Sequence, residues 1–400
     1  MMFSSITAQP VPILLMARHL DQGGIERDLT KIALGLDRSR FDPHVATYFD
    51  YGLRLDELRA AGIPLLFIPV GSIISLSALT LAWRLGRYMR KHKIRLVHTF
   101  DTSAFFGAAV ARLAGVPRVL TSQLGHREIR DASGSYDRRT ACLVRMSDRL
   151  TNAIQVNCMA MARHMESDEH VPAGRLELCY NGVDTGVFYP ALEPKPDAVA
   201  GASLVVGSLC ALRPEKNLSL LQEAFAKVRG RLPGMKLLFV GSGDELQRLQ
   251  DNGVRLGIAD ATVYVPASAD AARWMRAIDI FVLPSYSEAF SNALLEAMAC
   301  GCAVIGSRVG GTPELIGENE RGLLFESGNA EDLSTQLLVM IGNEQRRRAF
   351  GDAAARHARE SLSLEIAIER QMEIYDKLLS RRKLRSPDDS SVSLKKAEAK

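Results

Sequence analysis

Short runs rich in Val, Ile and Leu alternate with longer helical patterns along the chain, which predicts an α/β protein made of doubly wound parallel sheets. At 400 residues the chain exceeds the roughly 100–200 residues of one ordinary domain, so two such units are expected. A Pro-containing stretch without periodicity, residues 189–201, divides the runs into two series and reads as the linker.

The first series opens with the apolar run Val11–Met16, stopped at once by Arg18 and His19 and preceded by no basic leader, so a strand is expected there and not a signal peptide. Gly23-Gly24 then precedes the helix-like stretch from Ile25 to Leu36. Further strands are expected at Asp42–Tyr48, Leu65–Pro69, Leu96–Thr99, Arg118–Ser122 and Leu150–Gln155. Tyr180-Asn181-Gly182-Val183-Asp184 is a turn, with Gly182 suited to a left-handed position. The second series is Leu204–Ser208, Lys236–Val240, Thr262–Val265, Ile280–Leu283 and Ala303–Gly306. Between its last two strands a helix is expected over residues 293–299, with Ser291 or Asn292 as N-cap and Gly301 as the left-handed stop. Residues 344–379 read as helical, and Ser380 to Lys400, polar and free of aromatics, as a disordered tail. The expected domains are 1–190 and 191–360.

The composition narrows the function classes. An apolar share of 47% supplies real cores, and 24% charged residues indicates neither a disordered nor a fibrous class. Fifty basic against 46 acidic residues argues against a dedicated nucleic-acid binder. Residues 1–190 hold 23 basic and 18 acidic groups, so the first half is the one suited to an anionic surface. The six cysteines are scattered with no disulfide or zinc spacing, and the chain contains no Asp-x-Asp, so no metal is expected. No run approaches the ~20 apolar residues that span a bilayer. A cytoplasmic location is expected, with any membrane contact peripheral.

Four segments carry chemistry. Glu288 and Glu296 lie eight residues apart around the expected helix start, Glu288 before it and Glu296 inside it. A carboxylate accepts paired hydrogen bonds from vicinal hydroxyls, and a helix N-terminus attracts phosphate. A surface loop with a solvated Glu fits the same spacing. Arg213-Pro-Glu-Lys216-Asn217 closes the first strand of the second series, where open α/β sheets bind ligands, so Arg213 and Lys216 suit a diphosphate leaving group. Two solvated cations near a cap fit it as well. Gly23-Gly24 and Gly310-Gly311-Thr312-Pro313-Glu314 each follow a strand and open a helix, as phosphate loops or as ordinary tight turns. Neither is the spaced three-glycine dinucleotide fingerprint, which disfavours a nicotinamide oxidoreductase.

Taken together and in order, Gly23-Gly24, Asn181-Gly182-Val183-Asp184 with Phe188 and Pro190, Arg213-x-x-Lys216-Asn217, the Glu288-to-Glu296 segment and Gly310-to-Glu314 resemble the glycosyltransferases of family 4, over about residues 11 to 375. The resemblance implies the GT-B fold, two Rossmann-like domains facing a cleft, with the helix near 361–378 packing back on the first domain. It implies a retaining, metal-independent transfer without cofactor, from a nucleotide sugar, expected to be a uridine diphosphate sugar, to a glycan or lipid-linked acceptor in surface polysaccharide synthesis. By position, Glu288 would meet the donor sugar, Glu296 the ribose, and Arg213 and Lys216 the diphosphate. Ala289, Phe290 and Ser291 would line the donor site, and the backbone of Gly23, Gly24, Gly311 and Thr312 would meet phosphate. Many relatives carry a histidine just after the strand at 118–122, where this chain has Gln123. His126 comes three residues later, as a catalytic substitute or a plain loop histidine.

Rival readings are a sugar-nucleotide epimerase of the same architecture and a degenerate binding subunit, the latter prompted by Gln123. The basic amphipathic stretch from Trp83 to Arg95 is either the solvated face of an outer helix or a contact for anionic lipid.

Overall fold

The computed structural model describes residues 9–21, 23–70, 76–100, 104–125 and 145–380. They form two compact units: one reaches Tyr180 and includes the last helix from Ala367, and the other runs from Asn181 to Ile366. The expected tail beyond Ser380 lies outside the described residues.

The first unit is a parallel sheet of β1 (Val11–Ala17), β2 (Phe41–Thr47), β3 (Leu65–Phe67), β4 (Leu96–Phe100), β5 (Arg118–Gln123), β6 (Ala153–Val156) and β7 (Leu176–Leu178). Its order is β3-β2-β1-β4-β5-β6-β7. Central β1 explains its own sequence: Ile13 to Met16 are wholly buried, because a parallel strand is covered on both faces and reads as an unbroken apolar run. The edge strand β7 is absent from the sequence-based reading. Three residues, one of them Glu177, leave no pattern to detect.

The last helix, Leu364–Ser380, returns to this sheet from Ala367 onward. Gln371 and Gln155 exchange side-chain hydrogen bonds at 2.9 and 3.0 Å, and Lys377 reaches Glu177 at 2.7 Å. Deeper, the Tyr375 hydroxyl meets His98 Nδ1 at 2.7 Å while Ser122 Oγ meets Nε2 at 2.7 Å. Both ring nitrogens are thus satisfied in the neutral form, and burial pushes the His98 pKa down to about 3.

The second unit is a parallel sheet of β8 (Leu204–Leu209), β9 (Met235–Val240), β10 (Thr262–Val265), β11 (Ile280–Leu283), β12 (Ala303–Ser307) and β13 (Gly322–Phe325). Its order, β10-β9-β8-β11-β12-β13, reverses direction between β8 and β11, and that switch point is where such sheets bind ligands. β13 is a second strand missing from the sequence-based reading, again short and at an edge. By contact the second unit begins at Asn181, within the turn that the sequence places ahead of the expected boundary at residue 190. The cause is backbone pairing: Val183 donates to Leu362 O at 2.9 Å and accepts from Leu364 N at 2.8 Å, which ties the Asn-Gly turn to the second unit. The stretch 189–201 is likewise fixed, not a free linker, through Lys195 on Asp279 at 2.5 Å and the Arg276 guanidinium over the Tyr189 ring at 5.3 Å.

Burial of neutral His98 makes stability acid-sensitive. The unfolded chain protonates this ring near pH 6.5 and the folded one only near 3, so its contribution is complete above about 6.5 and is lost as pH falls through that window, at up to about 1.4 kcal/mol per unit. Urea unfolding should show the stability gap between wild type and His98→Gln narrowing from pH 7 to pH 5. A gap independent of pH would show that the ring is not held neutral.

Candidate functional site

At the carboxyl end of β8 the chain turns outward through Arg213. Pro214 holds the preceding Arg213 extended, and residues Pro214–Lys216 form one 3-10 turn. Asn217 then takes a left-handed conformation, φ 49°, before the helix Leu218–Val228. Asn tolerates that region better than most side chains, which accounts for its place between the turn and the helix. The turn directs Lys216 inward: its Nζ lies 2.6 Å from Glu288 Oε2, on the loop that follows β11. The two side chains are 19% and 13% exposed, whereas that of Arg213 is 67% exposed, with Glu215 Oε1 at 4.0 Å. Sequence reasoning pairs the two cations on one diphosphate; the folded chain separates a shielded Lys216 from an outward Arg213.

Burial alone would lower the Lys216 pKa. The charge and hydrogen bond of Glu288 outweigh it, and the net shift is upward, so the ammonium is charged across the physiological range. Glu288 Oε2 also accepts from Ser285 Oγ at 3.2 Å. The Ser285 carbonyl is itself held by Ser307 Oγ at 2.7 Å, a bond from the end of β12. Tyr286 N donates to Glu215 O at 2.9 Å, a second tie between the loops after β8 and β11.

The helix Asn292–Ala299 starts as its sequence predicts. Ser291 Oγ caps it by accepting from Leu294 N at 3.3 Å, and Gly301 ends it at φ 79°. Glu296 is buried within this helix, Ala289 and Phe290 are buried before it, and Asn181 Nδ2 reaches Phe290 O at 3.5 Å and Asn292 Oδ1 at 3.1 Å.

After β12, Gly310 has a φ of 51°, and a Cβ there would overlap the Glu288 carbonyl oxygen. This close approach lets Gly311 N donate to Ala289 O at 2.6 Å, while Thr312 N donates to Val309 O at 3.1 Å. The two amides expected to meet phosphate are thus engaged inside the loop. The Thr312 hydroxyl, buried and without a hydrogen-bond partner, is the polar group this loop leaves unmatched. The sequence singles out Thr312 for its backbone and not for this hydroxyl, and Asn181 for its turn and not as a partner of the Glu288 segment; Ser285 it does not mark.

In the first unit, Gly23 caps the helix Gly24–Gly35 at the carboxyl end of β1. The Glu26 carboxylate lies against Gly23, where any Cβ would overlap it, and pairs with His19 Nδ1 at 2.9 Å. This helix N-terminus therefore has an anion of its own chain beside it. Gln123 ends β5 and its amide donates to Gly125 O at 2.5 Å; His126 lies outside the described residues. Among the described residues no group of three or more His, Cys, Asp or Glu side chains is arranged to hold a metal. No described helix is long and apolar enough to cross a membrane.

Residues 193–357 match the model of the glycosyl transferases group 1, and residues 22–187 that of glycosyltransferase family 4. A GDP-mannose-dependent alpha-(1-6)-phosphatidylinositol monomannoside mannosyltransferase from Mycolicibacterium smegmatis is 30% identical over 304 residues, covering 70% of this chain and 75% of the relative. The chain belongs to the group 1 glycosyltransferases of family 4. A D-inositol 3-phosphate glycosyltransferase from Segniliparus rotundus is 29% identical over 66% of this family-4 chain and 57% of its own length. A homologue of the same name from Mycobacteroides abscessus is 35% identical, matched over 47% of its length, so this chain spans about half the length of these two relatives. HepE from Anabaena, crystallised with UDP, superposes with a TM-score of 0.79 at 21% identity, covering 92% of this chain and all of that one. At that identity the likeness is one of fold, the GT-B architecture of two Rossmann-like domains.

The close approach at Gly310 is testable in this family-4 chain. Gly310→Ala should cost about 1–3 kcal/mol of stability through backbone strain and displacement of the Glu288 loop. Gly62, also at positive φ but with open space around it, provides the comparison. Urea midpoints should fall clearly further for Gly310→Ala than for Gly62→Ala; equal shifts would show that the overlap is relieved at no cost.

Proposed function

We propose that the chain transfers a sugar from a uridine diphosphate sugar to a glycan or lipid-linked acceptor, with retention at the anomeric carbon and without a metal, in surface polysaccharide synthesis. The observation that carries this reading is the 2.6 Å contact of Lys216 with Glu288 at the switch point of the second unit. A nucleoside diphosphate as ligand is supported by the likeness to HepE, which was crystallised with UDP. A nucleotide-sugar donor is also supported by the M. smegmatis relative, whose name specifies GDP-mannose.

In this reading Arg213 and Lys216 stabilise the charge that develops on the departing phosphate, Lys216 from a position already set by Glu288. Glu288, holding Lys216 with one oxygen, has acceptor capacity left for sugar hydroxyls, and it acts by position, not as a covalent nucleophile. Glu296 binds the ribose hydroxyls.

A thermal-shift series across nucleotides should single out a uridine diphosphate, and the matching sugar donor should then support transfer; no response to any nucleoside diphosphate would end the proposal. Arg213→Ala should lower kcat about a hundredfold with little change in donor KM, while Glu296→Ala should raise donor KM about tenfold with kcat largely kept. Equal effects on both constants would contradict the assigned roles. Activity should persist in excess chelator, and its loss with recovery on adding manganese would refute the metal-free part.

A further inference from the structure

The helix Leu76–Lys91 packs its inner face into the core of the first unit through Ala78, Leu85 and Met89, and the Tyr88 hydroxyl fixes it to β2 through His44 Nδ1 at 2.7 Å. Its outer face is unlike an ordinary solvated helix. Leu79 is 69% and Trp83 61% exposed, with the Arg87 guanidinium over the indole at 5.4 Å. Arg84, Arg87, Arg90 and Lys91 are exposed on this helix, and Lys93 and Arg95 continue the stripe beyond its end. No acidic residue occurs between Glu57 and Asp101. Solvated faces mix both signs of charge and bury large aromatics; this one carries a single sign and displays an indole and a leucine.

We propose that this face docks on an anionic lipid bilayer, the helix lying in the interfacial plane over about 24 Å of its length. Trp83 and Leu79 enter the headgroup boundary, where an indole is favoured because one edge is apolar and its N–H stays hydrated. The six cations answer the negative surface potential, and no carboxylate within the stretch from Leu58 to Phe100 opposes them. Nucleic acid would use the cations equally well but gives no reason for an exposed leucine. The inference stands on this surface alone and does not depend on the sugar-transfer reading.

Sedimentation of the full chain with vesicles tests it. The chain should pellet with equal parts phosphatidylcholine and phosphatidylglycerol, remain free with phosphatidylcholine alone, and be released by added salt. Arg84→Gln/Arg87→Gln/Arg90→Gln together should weaken vesicle binding about a hundredfold, with an unchanged circular dichroism spectrum. The blue shift of tryptophan emission on vesicle binding should vanish in Trp83→Phe, which leaves Trp274 in place. Equal pelleting with neutral vesicles, no pelleting with either, binding retained by the triple variant, or displacement by an oligonucleotide without any blue shift would each overturn the proposal.

Discussion

The loops at the switch point of the second unit meet in one contact, the Lys216 ammonium against the Glu288 carboxylate. An exposed pair of this kind contributes about 0–1 kcal/mol, because water and side-chain entropy cancel most of the attraction. Here both groups are largely shielded, so desolvation is costly and only a close, hydrogen-bonded geometry offsets it. That geometry is supplied from several sides: the Tyr286 amide on Glu215 O, Ser285 on Glu288, Ser307 on the Ser285 carbonyl, and the Gly311 amide on Ala289 O. Three loops from β8, β11 and β12 are thereby tied together at the switch point. Rigidity there matters because a polar site is effective only when its dipoles are already oriented.

The first unit meets a related demand by other means. His98, Tyr375 and Ser122 place a neutral, doubly bonded ring under the returning helix, with Gln155–Gln371 and Lys377–Glu177 farther along it. Each is a polar group that an apolar substitution on one side would leave unmatched, so together they specify the register of that helix more strictly than apolar packing does.

Much of the fold was legible in the chain because its signals are local. The unbroken apolar run of β1, the Ser291 cap and the Gly301 stop each act over a few residues, and each is found as expected. What failed was short or nonlocal. β7 and β13 are edge strands of three and four residues. The Asn181–Asp184 turn reads as the end of the first unit because its partners, Leu362 and Leu364, lie far along the chain. Lys216 and Glu288 each stand in a motif that marks them as candidates, but their pairing follows only once β8 and β11 are known to be neighbours. The amides of Gly311 and Thr312 illustrate the same limit: a Gly-Gly-Thr-Pro sequence marks a helix start, and not whether its N–H groups are already taken.

The pairing changes the electrostatic requirements of the proposed reaction. Lys216 enters it with its charge already balanced by Glu288, so the two residues together present little net charge to a diphosphate. A leaving group that gains negative charge then needs a cation not bound in this way. Arg213, outward and 4.0 Å from Glu215, is such a group, and its guanidinium can engage two phosphate oxygens at once. Lys216 would instead respond to the donor by sharing its protons between Glu288 and the phosphate, which couples the position of the carboxylate to the state of the leaving group. On this reading Arg213 supplies most of the uncompensated charge and Lys216 adds alignment to its share, and replacing either by the other would not preserve function.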